Sequence, residues 1–209
     1  MSKVGKKFPD ISVNAMNEMG DTFKINVFQE ALENKKKIIL FWYPKDFTFV
    51  CPTEIHAFQS KLSEFEKRNT MVIGASCDTP EVHFAWLSTP KDNGGIEGVT
   101  FPLIADSTRH LSETLDILDT EYVGTEENYS IEGDNVSYRA TFLIDEEGTI
   151  FHESVNVMPL GRNVDEYLRL IDGYAHNQKH GEVCPANWEE GKEAMSESRE
   201  SVANYLSKH

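Results

Sequence analysis

The sequence predicts an α/β fold around a central sheet, and three observations carry that prediction. Residues 38–43 form an apolar run rich in Ile and aromatics, bounded by Lys37 and Pro44, which reads as a buried strand. Residues 71–76 form a second such run. Between them Ile55, Phe58, Leu62 and Phe65 recur at spacings of three, four and three, the stripe of an amphipathic helix. Strand, helix and strand in this order call for a right-handed crossover and parallel pairing.

In chain order, 8–25 is short and turn-rich, with Met19-Gly20-Asp21 as a hairpin turn, and is expected to cover an edge of the sheet. Phe28 to Asn34 suggests a brief helix before the first buried strand. Pro44 ends that strand. Pro52 suits a first helical position, so Cys51 falls at the N-cap of the striped helix or within a residue of it. Lys67-Arg68-Asn69 supplies cations and a residue tolerant of the left-handed conformation, a helix stop. Thr79 to Leu87 reads as a short helix carrying His83 and Trp86, to which packing rather than catalysis is assigned. The glycine-rich 93–98 lacks the following Lys-Ser/Thr of a phosphate-binding loop.

Thr100 to Asp106 is a third strand, and Leu111, Leu115 and Leu118 mark a helix after it. The acidic, aperiodic 119–135 reads as a surface loop, a solvated insertion without chemistry. Tyr138 to Asp145, the turn Glu146-Glu147-Gly148 and 149–157 form a hairpin. Asn163 caps a last helix with Val164, Leu168, Ile171 and Tyr174/Ala175 on its apolar face and Asp165 and Glu166 in its first turn. Residues 189–209 are charged with few apolar anchors. The expected division is a domain over 1–175 and a C-terminal arm over 176–209.

A chain of 209 residues can bury a large core without staples. A formal charge of -15 argues against nucleic acid or an anionic membrane as partner. Nothing approaches the roughly 20 apolar residues of a membrane span, and the first ten residues lack the apolar core of a signal peptide, so a cytoplasmic location is expected. Three cysteines, far apart, form neither a disulfide framework nor a zinc cluster, and no metal or other cofactor is expected.

Chemistry centres on Cys51. A helix start presents unpaired N–H groups and the positive end of the dipole, which favour a thiolate and make the sulfur nucleophilic. A fast thiol enzyme also needs donors aimed at the transition state. Thr48 offers a hydroxyl three residues upstream, and an arginine must come from elsewhere. Cys77, at the end of the second strand, lacks a helix N-terminus of its own and has Asp78 beside it, which disfavours a thiolate there.

Pro44-x-x-x-Thr48-x-x-Cys51, within Asp46-Phe-Thr-Phe-Val-Cys-Pro-Thr-Glu54, resembles the active-site signature of the peroxiredoxins, in the form of the typical two-cysteine subgroup. The resemblance implies a thioredoxin-like central mixed sheet with flanking helices and a C-terminal arm. It implies that Cys51 attacks a hydroperoxide and becomes a sulfenic acid, with Pro44 shielding the sulfur and Thr48 contacting the peroxide oxygens. Glu54 would orient two arginines. Tyr138-Arg-Ala-Thr-Phe-Leu-Ile-Asp145 resembles the family segment whose arginine touches the sulfur, which falls on Arg139, and Pro159-Leu-Gly-Arg162 resembles the segment whose arginine supports it through Glu54.

Val183-Cys-Pro-Ala-Asn-Trp188 is similar to the resolving-cysteine segment, implying that Cys184 attacks the sulfenic acid across a two-fold homodimer, with dimers assembling into a ring, a decamer. An external dithiol or flavoprotein disulfide reductase system would then restore the thiols. The 93–98 loop resembles the Gly-Gly-Leu-Gly loop of oxidation-sensitive members but departs at Ile96 and Glu97, and Tyr205-Leu206 departs from their Tyr-Phe tail. The fold also admits a general disulfide oxidoreductase, but Cys51-Pro-Thr-Glu54 lacks the second cysteine of that motif. A non-enzymatic holdase built from rings of subunits is a third reading.

Overall fold

The computed structural model describes residues 2–125 and 128–208. It divides into two compact units, Met1–Arg162 and Asn163–His209. In the first unit β1 (Val13–Met16) and β2 (Thr22–Ile25) form the expected hairpin, followed by α1 (Val27–Asn34) and β3 (Lys37–Trp42). Then come α2 (Cys51–Ser60), α3 (Leu62–Lys67), β4 (Thr70–Ser76), α4 (Pro80–Leu87), a 3-10 turn over Lys91–Asn93 and β5 (Leu103–Ala105). The unit continues with α5 (His110–Leu115), β6 (Glu121–Thr125), β7 (Asn128–Glu132), β8 (Arg139–Ile144) and β9 (Ile150–Asn156).

Seven strands make one mixed sheet in the order β2-β1-β5-β4-β3-β8-β9. The pairs β3/β4 and β4/β5 are parallel, Ile38 facing Met71 and Ala75 facing Ile104, and the others are antiparallel. Period-two alternation sends Ile38, Leu40 and Trp42 of β3 to one face, where they join Ile73, Ala75, Ile104, Phe142 and residues of α1 and α5 in the main core. On the other face Phe41 stacks on Phe58 of α2 at 3.9 Å between ring centroids. A strand buried on both faces needs no polar alternation, which is why β3 reads as an unbroken apolar run.

The expected single helix from Cys51 to Phe65 is two, broken at Lys61, where φ is -105° and ψ 5°. The stripe hides the break because Phe58 and Phe65 both remain fully buried. Leu118 lies outside α5, which stops at Asp116 in the left-handed region with φ 61°. The expected loop over 119–135 contains an antiparallel ribbon, β6 pairing with β7 through Tyr122↔Ile131 and Gly124↔Tyr129. Both strands are exposed throughout, so neither carries the buried face that marks a strand in sequence. Residues 126 and 127 lie outside the described residues.

The second unit holds α6 (Val164–His180) and α7 (Arg199–Lys208). Asn163 caps α6 as expected, its side chain accepting from the Asp165 N–H at 3.1 Å. The helix runs on to Gly181, whose φ of 67° ends it, so the boundary expected between 175 and 176 falls inside it. Within the charged tail, Ser198 accepts from the Ser201 N–H at 3.1 Å and starts α7, which has no buried residue to announce it.

Candidate active site

Cys51 is the first residue of α2, with Pro52 next to it, as the sequence predicts. No side chain caps that end; the Thr53 and Glu54 N–H groups donate to the Val50 carbonyl at 3.0 and 3.3 Å. The sulfur is fully buried. Arg139, the first residue of β8, reaches it across the sheet from the neighbouring strand, its Nη1 donating to Cys51 Sγ at 3.3 Å. The same Nη1 donates to Glu54 Oε2 at 2.6 Å, and Nε donates to the Met158 carbonyl at 2.6 Å. Three acceptors fix the guanidinium plane beside the sulfur, a constraint a lysine could not reproduce.

Glu54, one turn into α2, is almost wholly buried and lies between two arginines. Arg162 donates to Glu54 Oε1 from its backbone N–H at 3.0 Å and from Nε at 2.9 Å, and to Oε2 from Nη2 at 3.1 Å. Its remaining donors go to the Trp42 carbonyl at 2.7 Å, the Ala140 carbonyl at 3.0 Å and the Thr141 hydroxyl at 3.1 Å. The guanidinium also lies 5.3 Å from the centre of the Phe41 ring. A buried charge with this many partners is a rigid support.

An open cleft of about 440 Å³ borders this network at Arg139 and is lined also by Pro44, Lys45, Thr48, Phe49, Val50, Asp134, Val136, Met158 and Pro159. Thr48 is therefore in the cleft, its hydroxyl donating to the Lys45 carbonyl at 2.8 Å and leaving the oxygen free to accept. The loop bearing Pro44 and Thr48 turns through Phe47, held in the left-handed region at φ 55°. A largely apolar wall carrying the Arg139 guanidinium and the Thr48 hydroxyl, with Lys45 and Asp134 as further polar groups, suits a small ligand with a short polar end.

The structure thus brings Cys51, Glu54, Arg139 and Arg162 into one hydrogen-bonded cluster and places Pro44 and Thr48 over it. Cys184 lies in the second unit, half-buried, its thiol donating to the Gly173 carbonyl of α6 at 3.5 Å. Burial raises the Cys184 thiol above its ordinary value; Arg169 lowers it and Glu182 adds to the rise. Cys77 is also raised, by burial first, and its thiol lies 3.7 Å from the Ser112 hydroxyl. The carboxylate that adds to its rise is Asp106 and not the adjacent Asp78. Asp78 instead accepts from the Ser76 hydroxyl and the Asp46 N–H, each at 2.8 Å.

Sequence reasoning missed Asp46 as the partner of the buried His83. Asp46 Oδ2 lies 2.7 Å from His83 Nδ1, and His83 Nε2 lies 3.1 Å from the Ile104 carbonyl, with both side chains inaccessible. This pair anchors the loop between Pro44 and Thr48 to α4. The signal was present in an aspartate inside the signature, but its partner is 37 residues away. Asp134 in the cleft lining was missed because 119–135 reads as solvated, and Val136 follows directly after that stretch. Among the described residues, no helix is long and apolar enough to cross a membrane.

Residues 4–153 match the model of the AhpC/TSA family, and residues 174–208 match the C-terminal domain of 1-Cys peroxiredoxin. The chain is 40% identical to alkyl hydroperoxide reductase C of Helicobacter pylori, over 99% of this chain and 96% of that one. It is 37% identical to Peroxiredoxin-2 of Macaca fascicularis, over 100% and 97%. The reduced 2-Cys peroxiredoxin of Plasmodium vivax superposes with a TM-score of 0.88 at 40% identity, covering 99% of this chain and 100% of that one. The thioredoxin-like α/β architecture is therefore shared over the whole length.

Proposed function

The chain belongs to the AhpC/TSA family and is a peroxiredoxin enzyme of the two-cysteine type, and from that premise we propose how its own residues divide the work. The Cys51 thiolate attacks one oxygen of a hydroperoxide, a sulfur–oxygen bond forms, the O–O bond breaks, and the departing oxygen takes a proton to leave as water or an alcohol. Cys51 is left as a sulfenic acid. The observation that carries this reading is the 3.3 Å contact from Arg139 to Cys51 Sγ, with Arg139 itself fixed by Glu54.

Arg139 stabilises the thiolate and the charge developing on the cleaved oxygens, and Glu54 with Arg162 holds Arg139 in place. Pro44 shields the sulfur from bulk water, and the Thr48 oxygen accepts from the protonated peroxide oxygen. The apolar wall supports organic hydroperoxides as substrates beside hydrogen peroxide. Cys184 of a second subunit then attacks the sulfenic sulfur, giving a disulfide and water, and an external dithiol or flavoprotein system returns both thiols. A homodimer, built further into a ring of dimers, supplies that second subunit. Three cysteines far apart in sequence, which form no disulfide framework, support a cytoplasmic location.

Cys51→Ser is expected to abolish peroxide reduction while Cys77→Ser leaves it nearly unchanged; equal damage from both would overturn the choice of nucleophile. Oxidised wild type should run as a disulfide-linked dimer on a non-reducing denaturing gel and return to monomer with reductant. Cys184→Ser should lose that band yet still consume about one equivalent of peroxide per subunit, as a nucleophile without its resolving partner does. A fully oxidised wild type that migrates as monomer places the bond within one chain.

A further inference from the structure

One face of α6 carries Arg169, Gly173, His176, Asn177 and His180, at helical spacings of four, three, one and three, and the segment 182–188 is fastened along it. His176 Nε2 lies 2.9 Å from Glu182 Oε2, before Cys184 in the chain, and the His176 ring lies 4.9 Å from the Trp188 ring, after it. Asn177 Nδ2 donates to the Glu182 carbonyl at 2.8 Å, and Arg169 Nη1 donates to the Trp188 carbonyl at 3.2 Å. Between these fastenings Cys184 Sγ and the Trp188 ring rest against Gly173, whose missing side chain leaves them 3.7 and 3.8 Å from where a Cβ would stand.

We propose that His176 is a positioning residue for the resolution step, clasping both sides of the Cys184 segment onto α6 and thereby setting how fast Cys184 is released to attack. The inference rests on Cys184 being the resolving thiol. In the clasped state the thiol is half-buried, its hydrogen is engaged by the Gly173 carbonyl, and burial shifts its pKa upward, against the thiolate. Attack on a sulfenic sulfur needs the thiolate and an open approach. The segment must therefore leave the helix face first, and the step is a release equilibrium followed by chemistry. Cys184 thiolate and Cys51 sulfenic acid become a disulfide and hydroxide, which takes up the proton lost by the thiol to give water.

His176 suits this role because one side chain meets both ends of the segment. Glu182 is only an acceptor when ionised, so Nε2 carries the hydrogen of that bond. The contact is partly exposed, with 22% and 45% of the two side chains accessible, so the clasp is a brake of modest strength. Arg169, Asn177 and the mutual backbone bonds of Val183 and Met195 hold the segment even without it.

Quenched-flow mass spectrometry, counting sulfenic acid and disulfide against time, separates the two chemical steps. His176→Phe keeps a ring against Trp188 and loses the Glu182 bond, so disulfide formation should accelerate about three- to ten-fold, with peroxide oxidation of Cys51 within two-fold of wild type. His176→Gln, which keeps a donor, should return most of the braking. Glu182→Ala, placed on the arm and not on the helix, should act in the same direction as His176→Phe. Amide exchange over 182–188 should quicken in step with the disulfide rate. Unchanged or slower disulfide formation in His176→Phe, or both steps changing together, would overturn the clasp. Persistence of the disulfide phase in Cys184→Ser would instead remove the resolving role on which the clasp rests.

Discussion

Arg139→Ala is the sharpest test of the proposed site, because it removes one donor from the sulfur while most of the support survives. Its Nη1 makes the only side-chain hydrogen bond to Cys51 Sγ among the described residues, at 3.3 Å. A charge-assisted bond of this kind is worth roughly 1.5–3 kcal/mol. At about 1.4 kcal/mol per factor of ten, oxidation of Cys51 should slow by about ten- to a hundred-fold. The structural penalty is held down because Glu54 keeps three donors from Arg162 and is not orphaned. The loss of stability should thus fall below the roughly 3–5 kcal/mol of an uncompensated buried charge. Arg139→Lys keeps the charge but cannot reach Cys51, Glu54 and the Met158 carbonyl together, and should fall between. Stopped-flow measurement of the oxidation step, with denaturation midpoints as a control for folding, reads both effects. A folded Arg139→Ala protein oxidised within two-fold of the wild-type rate would refute the reasoning and remove Arg139 from contact with the reacting atoms.

The Asp46–His83 pair should make stability depend on pH. Burial pulls His83 down, but its bond to Asp46 and the charge of Asp46 outweigh burial and leave it raised, and burial raises Asp46 as well. A raised folded-state value means stability that is complete below the unfolded histidine value of about 6.5 and is lost as pH rises through the raised value. Denaturation midpoints from pH 6 to 9 should fall in wild type and stay flatter in His83→Gln; parallel profiles would contradict the coupling. Gly95→Ala should cost about 1–3 kcal/mol, since a Cβ there collides with the Thr89 carbonyl in a loop that also meets His56 Nε2 at 3.0 Å; an unchanged thermal midpoint would show that the loop yields. Resistance to over-oxidation should be intermediate, because Glu97 and Leu206 alter both elements that resemble those of oxidation-sensitive relatives. Sulfinic acid accumulating on Cys51 at micromolar peroxide, seen by intact-mass spectrometry during turnover, would contradict this.

What could be read in the sequence followed burial. The runs that became β3 and β4 lie in the middle of the sheet and had to be apolar on both faces, so their pairing was legible at once. The ribbon of β6 and β7 buries nothing, and α7 has no buried residue, so composition alone made one a loop and the other a tail. At the site, Cys51 and Thr48 were legible because Pro44 and Pro52 punctuate a contiguous stretch. Arg139 and Arg162, 88 and 111 positions beyond Cys51, had no local feature to mark them as more than cations near strand or helix ends. Only the resemblance selected them. Asp46 stands inside the signature, but nothing marked His83, 37 positions away, as its partner, since neither residue's surroundings in sequence reveal that both are buried.

The charge arrangement explains why two arginines are bound to a single glutamate. Arg139 and Arg162 carry two positive charges into a buried region, and Glu54 answers one of them through both of its oxygens. On the proposed assignment, the thiolate of Cys51 answers the other, and the four groups together are neutral. Oxidation to a sulfenic acid removes the sulfur's charge and leaves one positive charge facing the departing oxygen at the moment it is most negative. A second carboxylate would have balanced the resting enzyme as well, but would have cancelled that field during bond cleavage. Arg162, with donors fixed on the Trp42 and Ala140 carbonyls and the Thr141 hydroxyl, cannot swing to follow the charge. On the same assignment the field is in place before the peroxide arrives, and Arg139, the guanidinium that touches both Glu54 and the sulfur, is the group that would deliver it to the reacting atoms.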